Sequence, residues 1–354
     1  MADKKLHLSS SPHFSAGFKT QYIMAAVLLA MLPECIYGVV IFGWRALVTI
    51  LVSVASCVFF EFIFQKITKQ KVRINNLSAC VTGVLLALVS PSTVPWWVIV
   101  IGAAVAIIVA KGLFGGIGSN VFNPALTGRA FLFLSFPVIM GAQWAAPGAG
   151  IDAVSSATTL SAIKTGLVNT ENFEYLKFFL GNRAGCIGET SILLILISFL
   201  FLLVTKVIDW RAPFAMVGTV AVCTFIASII STGNAATAGK EVLMYLLTGG
   251  LIFGATFMVT DYATAPVTKP GRLIFGFGCG LITFLIRRFG GYPEGVMFSI
   301  LIMNSVAPFL NNFTVRMYGY GKKGNRRADT DKISMEFDLK NAKIRKQEGE
   351  NGSN

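Results

Sequence analysis

An all-α, polytopic membrane fold is predicted by three features of this sequence: its apolar bulk, the spacing of its uncharged runs, and the placement of its charges. Hydrophobic residues make up 54% of the 354 and charged residues 13%, about half the charged share of soluble domains. Uncharged apolar runs near the ~20 residues that cross a bilayer as a helix recur from end to end. The formal charge of +13 lies between those runs and in the C-terminal part. Membrane topology requires that placement of Lys and Arg, and it argues against nucleic-acid binding.

Ten spans are expected near 20–42, 45–65, 75–90, 94–111, 122–140, 188–205, 212–231, 241–259, 271–287 and 294–311, some of them broken or re-entrant. The start, Met1 to Thr20, is polar and leads into a full-length span, so no cleavable signal peptide is expected. Arg316, Lys322, Lys323, Arg326 and Arg327 place the C-terminal tail in the cytoplasm by the positive-inside rule. An even number of spans puts the N-terminus, with Lys4, Lys5 and Lys19, on the same side. The loops holding Lys66, Lys69, Lys71 and Arg73, then Lys206 and Arg211, then Lys269 and Arg272, agree with this. Arg287 and Arg288 land on the outer side and are the exception. The chain thus divides into a cytoplasmic tail at 1–19, a first membrane repeat at 20–140 and an extracytoplasmic loop at 141–187. A second membrane repeat at 188–315 and a polar cytoplasmic tail at 316–354 follow.

Two short echoes suggest that the halves are related. Thr82-Gly83-Val84-Leu85 matches Thr248-Gly249-Gly250-Leu251, and Phe114-Gly115-Gly116 matches Phe289-Gly290-Gly291, in the same order. Five spans per half is an odd number, so the two five-helix repeats must be inverted. Inversion also accounts for Arg288, whose partner segment in the first half faces inward.

Four stretches could carry chemistry. Asp152-Ala153-Val154-Ser155-Ser156-Ala157-Thr158-Thr159 lies in the longest polar interruption; on composition alone it reads as an exposed turn. Lys111-Gly112-Leu113-Phe114-Gly115-Gly116-Ile117-Gly118-Ser119-Asn120-Val121-Phe122-Asn123-Pro124 is glycine-rich, yet no strand precedes it, so a Rossmann reading fails. It fits a helix break in the membrane, where Asn120 and Asn123 would satisfy freed backbone or hold a polar ligand, sharing a face if helical. In the third, Gly249 to Pro266, Asp261 closes a span; an acid there is costly unless paired or functional. Asp261, Glu294 and, more weakly, Glu34 after Pro33 are candidates for a cation path, with interfacial pairing or capping as the plain alternative. In the fourth, Gly181 to Ser191, Glu189 near a helix start reads as a cap.

The six cysteines form no CxxC pair, and five lie inside apolar runs; only His7 and His13 are present, both near the N-terminus. An iron–sulfur centre built by this chain alone is not expected, no metal is expected, and intramembrane haem ligation by His is excluded.

Asp152, Ser155, Ala157 and Thr158, at that spacing, resemble the flavin-attachment signature of the family containing the D-type membrane protein of the Rnf complex, RnfD, and its counterpart NqrB. The family usually has Gly where this chain has Ser156, and Thr159 offers an adjacent hydroxyl. Gly188-Glu189-Thr190-Ser191 matches a further family element. Where the family often has an acid seven residues past the Asn304 position, this chain has Asn311. The resemblance spans about 20–315; the Rnf side is preferred because the longer N-terminal extension of NqrB is missing. It implies FMN joined through its phosphate to Thr158 by a flavin transferase, and non-covalent riboflavin near Asn120 and Asn123. It further implies one lipid-embedded, electron-carrying subunit, active as a redox-driven translocase only within a complex with subunits A, B, C, E and G. That complex would link ferredoxin and NAD chemistry to Na+ or H+ movement across a bacterial plasma membrane. Two alternatives stand beside this: an NqrB-type component of a quinone reductase, and a flavin-free inverted-repeat channel or transporter.

Overall fold

The protein is described from a computed structural model, which covers residues 20–70, 72–141, 144, 159–164, 173–181, 183–291 and 294–317. Among these residues there are helices and turns and no strand. A lipid environment supplies no partner for a backbone N–H or C=O, so a chain this apolar closes its hydrogen bonds within helices.

The first half opens with two long helices, α1 (Thr20–Phe42, with Pro33 inside) and α2 (Trp44–Ile67). Then the elements shorten. Asn76 accepts from the backbone N–H and the hydroxyl of Ser78 and starts α3 (Ser78–Leu88). Pro95 precedes α4 (Trp96–Ala104), which continues as a π-helix over Val105–Gly112. A glycine-rich return, with Gly115, Gly116 and Gly118 all at positive φ, leads to α5 (Pro124–Ser135) and, past Phe136, to α6 (Pro137–Gly141). Two short helices, α7 (Thr159–Lys164) and α8 (Tyr175–Leu180), belong to the segment between the halves.

The second half repeats the contrast of long and interrupted helices. Ser191 caps α9 (Ile192–Val204) by accepting from Leu194 N–H at 3.4 Å. Next come α10 (Arg211–Thr232) and α11 (Ala235–Leu247), separated by Gly233 at φ 66°. The chain then bends by 63° into α12 (Leu251–Phe253), extended as a π-helix over Gly254–Met258. The long helices α13 (Lys269–Phe289) and α14 (Val296–Met317, with Pro308 inside) complete it.

Among the described residues five helices, α1, α2, α10, α13 and α14, are long and apolar enough to cross a membrane, and α11 with α12 makes a sixth, bent one. The chain is an all-α polytopic membrane protein. Several expected spans are corrected in form. The stretch at 75–90 is an 11-residue helix, roughly 16 Å long at 1.5 Å per residue and so only half a bilayer core. The stretch at 122–140 is two pieces, and 188–205 holds a 13-residue helix. Of the two echoed Thr-Gly pairs, only the second breaks its helix: α3 runs unbroken through Gly83, while the chain turns at Gly249, φ 67°.

Small residues let the helices approach closely. A Cβ on Gly276 or Gly280 of α13 would run into the carbonyl oxygen of Ala212 or Met216 of α10, and one on Gly128 of α5 into that of Gly102 of α4. Such approach is the usual source of packing energy where lipid removes the hydrophobic drive. Met31, Leu86, Leu88, Leu126, Phe253 and Phe275 fill the core between the halves.

Candidate functional site

Helix α5 connects two buried chambers. Its first residues, at Asn123, line one; Arg129 and Phe133, roughly two and three turns further on, line the other. The bent helix does the same in the opposite direction: Gly249 faces the Arg129 chamber, and Thr256 and Asp261 face the Asn123 chamber. The two half-helices therefore run antiparallel between the same two chambers.

The Asp261 chamber is the larger, at about 320 Å³. Its polar lining includes Ser78, Lys111, Asn120, Asn123, Thr256 and Asp261. Asn123 is the N-cap of α5, its Oδ1 accepting from the N–H groups of Ala125 at 3.1 Å and Leu126 at 3.3 Å. With Pro124 at the first helical position this is a strong start signal. The backbone N–H of Asn123 is met in turn by the Asn304 carboxamide of α14 at 3.2 Å, oriented by its bonding partners. Asn120 donates from Nδ2 to Phe122 O at 3.2 Å. The two asparagines precede the helix rather than sharing a face of it, so that expectation is corrected; they nevertheless line one chamber. The cap uses the Asn123 oxygen, which leaves its amide nitrogen as what it can offer a ligand. Asp261 accepts from the Thr264 hydroxyl at 3.0 Å and has no ion-pair partner among the described residues.

At the wall of this chamber Lys111, only 4% exposed, donates to both oxygens of Glu61 at 2.9 Å and to the Ser78 hydroxyl. A small recess bounded by Glu61, Gln65 and Gln70 lies on the far side of the pair.

The second chamber, about 70 Å³, is lined by arginines and carboxylates at its floor and by aromatic side chains above. Arg129 lies 3.0 Å from Glu294 and 3.6 Å from Glu189. Glu294 also accepts from the Gly250 N–H at 2.9 Å, satisfying a donor exposed by the break between α11 and α12. The carbonyls freed at that break go to two further arginines. Arg183 donates to Leu247 O and to Glu189 O, and Arg287 to Tyr245 O at 2.9 Å and Thr248 O at 3.3 Å. Glu189 is thus an ion-pairing residue and not the cap of α9, which is Ser191. A Cβ on Gly250 would collide with both carboxylates, and one on Gly249 with Arg287 and Leu160.

The three acids singled out for a cation path are not brought together. Asp261 and Glu294 face different chambers. Glu34 is buried between α1 and α9, accepting from the Ser198 hydroxyl at 2.8 Å, with Oε2 unpartnered among the described residues. Asp152, Ser155, Ala157 and Thr158 lie outside the described residues, as do residues 1–19 and 318–354. The nearest described side chain, Leu160, is 5% exposed and forms part of the wall of the arginine chamber. Sequence reasoning missed Arg129, Arg183 and the Lys111–Glu61 pair. The signal was there: a cation inside an apolar run must be paired or functional. Among the described residues no group of His, Cys, Asp or Glu could hold a metal ion, and the described cysteines are free.

Comparison with known proteins bears on this geometry. The sequence model of the NQR2, RnfD, RnfE family matches residues 7–319. The chain is 40% identical over 325 residues to the D-type component of the Na(+)-translocating ferredoxin:NAD(+) oxidoreductase complex of Acetobacterium woodii, covering 91% of this chain and 98% of that one. It is 39% identical to the D-type component of the proton-translocating ferredoxin:NAD(+) oxidoreductase complex of Clostridium ljungdahlii, covering 87% and 94%. To the D-type component of the ion-translocating oxidoreductase complex of Stutzerimonas stutzeri it is 37% identical, covering 85% and 93%. This chain belongs to the NQR2, RnfD, RnfE family, on the side of the D-type components of ion-translocating oxidoreductase complexes.

Proposed function

We propose that this chain is the D-type membrane component of an Rnf ferredoxin:NAD oxidoreductase, carrying electrons on FMN esterified to Thr158 and coupling their passage to Na+ or H+ movement. One observation carries the reading: the attachment motif ends just before α7, and Leu160 of α7 forms part of the wall of a chamber whose floor is charged. A flavin tethered at Thr158 would lie beside residues able to hold it. The residues fit in kind: Phe133, Trp144 and Phe298 offer flat apolar faces, and Arg129 and Arg183 offer donors to a polar ring edge. The Asp261 chamber is the candidate riboflavin site, since a whole tricyclic ring fits its volume and Asn120 and Asn123 line it. Flavins supply one- and two-electron chemistry, and the protein sets their potential through nearby charge and hydrogen bonds.

In this reading Asn123 both starts α5 and presents an amide N–H to the riboflavin ring. Asp261, without an ion-pair partner among the described residues, would attract the coupling cation. Two of the relatives differ in ion, one named for Na+ and the other for protons, at 40% and 39% identity; similarity favours neither. The remaining partners would be subunits A, B, C, E and G, with a flavin transferase acting during maturation. The complex would sit in a bacterial plasma membrane, both termini in the cytoplasm and the Thr158 loop outside.

Flavin fluorescence of the denatured polypeptide, made with its transferase, tests the reading. Fluorescence is expected in the wild type and lost in Thr158→Val; loss in Thr159→Val instead moves the site by one residue. A dark wild-type band leaves the flavin-free transporter. For riboflavin, Asn120→Leu combined with Asn123→Asp keeps the cap oxygen of α5, and unchanged riboflavin content would refute the assignment of the Asp261 chamber.

A further inference from the structure

The charges around the arginine chamber do not cancel. Arg129 and Arg183 line it together with Glu189 and Glu294, and Arg287 stands behind it against Gly249, so among the described residues three cations stand near two anions. Arg129 takes both carboxylates. Arg183 and Arg287 are left with backbone carbonyls, and the buried Nε of Arg287 has no partner among the described residues. Burying one uncompensated charge is expensive unless something else neutralises it. The residues that would normally crowd such a site are missing: Gly249 and Gly250 carry no side chain, and a Cβ at either would fill the space between the arginines and the carboxylates.

Resting on the reading above, we propose that Arg129 and Arg183, backed by Arg287, form a cationic floor that compensates the negative charge gained by the polar edge of the Thr158-tethered flavin ring on reduction. The chamber's size supports an edge rather than a whole ring: about 70 Å³ is room for roughly five waters. Its walls identify the ring, not the phosphate, as the occupant. Phe133 and Phe298 meet edge to face with centroids 6.2 Å apart, and Trp144, Met140 and Met297 continue the apolar surface. Flat sulfur- and aromatic-lined walls suit a planar heterocycle; a phosphodiester wants polar surroundings. The balance is simple. The oxidised ring is neutral; two electrons from a reduced carrier of a partner subunit and one proton from water leave it with a single negative charge, equal and opposite to the excess on the floor. The arginines would therefore stabilise the reduced form more than the oxidised form and raise the potential.

The test is the midpoint potential of the covalent flavin in the intact complex, read by spectroelectrochemistry. Arg183→Gln should weaken the preference for the reduced form about tenfold, a fall of about 30 mV for a two-electron couple. Glu294→Gln, which keeps an acceptor for the Gly250 N–H while removing a negative charge, should shift the potential upward by a similar amount. Arg183→Lys should restore most of the wild-type value. Opposite shifts from the arginine and glutamate variants cannot come from loosened packing, which would move both the same way. The proposal is overturned if the two variants shift the potential in one direction or not at all, and equally if Arg183→Gln lowers only the yield of flavin attachment, which would assign the floor to the phosphate. If Arg183→Gln does not assemble, Glu294→Gln and Arg183→Lys decide alone. A wild-type polypeptide without covalent flavin refutes the functional reading itself, and fluorescence detects that before any potential is measured.

Discussion

Lys111 uses its ammonium donors on two residues from different elements, Glu61 of α2 and Ser78 at the start of α3. That single side chain ties the end of the π-helix to two neighbours across the wall of the Asp261 chamber. Glu34 has only the Ser198 hydroxyl and no cation among the described residues. Lys111 thus has a matched ion-pair partner, while Glu34 has none among the described residues. Removing the partner shows the difference. Lys111→Met should destabilise the protein by about 3–5 kcal/mol, since it strands Glu61 in the interior. Adding Glu61→Gln to it should recover most of the loss, because a packed apolar and amide pair needs no charge compensation. Thermal unfolding of the four proteins in detergent gives the coupling; a double variant as unstable as Lys111→Met alone would mean the pair is not what holds α2, α3 and the π-helix together.

The helices fall into two kinds, and glycine distinguishes them. In α3, Gly83 passes so close to α2 that a Cβ would meet the backbone of Val54 and Ser53, and the Ser53 hydroxyl donates to Gly83 O at 2.7 Å. Gly218, in the middle of α10, has open space around its Cα. Gly83→Ala should therefore cost about 1–3 kcal/mol by forcing two backbones apart, whereas Gly218→Ala should be neutral or slightly stabilising, as Ala is in a helix interior. The same assay reads both, and equal effects would refute the close contact. This contrast also shows what the sequence could reveal. The five long spans were legible because length and hydropathy alone define them. The helix break before α5 was legible from its glycines and Asn-Pro, whereas the break near Gly249 was not, since 241–259 reads as one apolar span. The half-length of α3 was not legible either: Ser90-Pro91 marks its end, but the 3-10 turn Ile74–Asn76 and Leu77 at φ 62° take up the start of the expected span. Nor was the arginine chamber: its members come from α5, from the segment before α9, from the break between α11 and α12 and from the residues before α14, and no spacing in the chain relates them.

At the scale of the whole molecule, two chambers face opposite ends of one bundle, each floored by a different set of charges and joined by two antiparallel half-helices. The ends can be told apart. Tyr37, near the C-terminal end of α1, donates to Leu180 O at 2.7 Å, so α8 sits at the end where α1 passes into α2. Lys69 lies at the other end of α2, whose 24 residues rise about 36 Å. If the lysines and arginines at the Lys69 end lie in the cytoplasm, as the positive-inside rule expects, the arginine chamber would open toward the outer face, the side proposed above for the Thr158-tethered flavin. An impermeant maleimide tests this directly against the wild-type background of native cysteines. In sealed right-side-out vesicles Leu176→Cys, 72% exposed in the wild-type residue, should be labelled and Lys69→Cys protected; in inside-out vesicles the pattern should invert. The reverse pattern would put the arginine chamber in the cytoplasm, and Thr158 would then have to accept its flavin on that side. Labelling of both from one face would contradict the length of α2 itself.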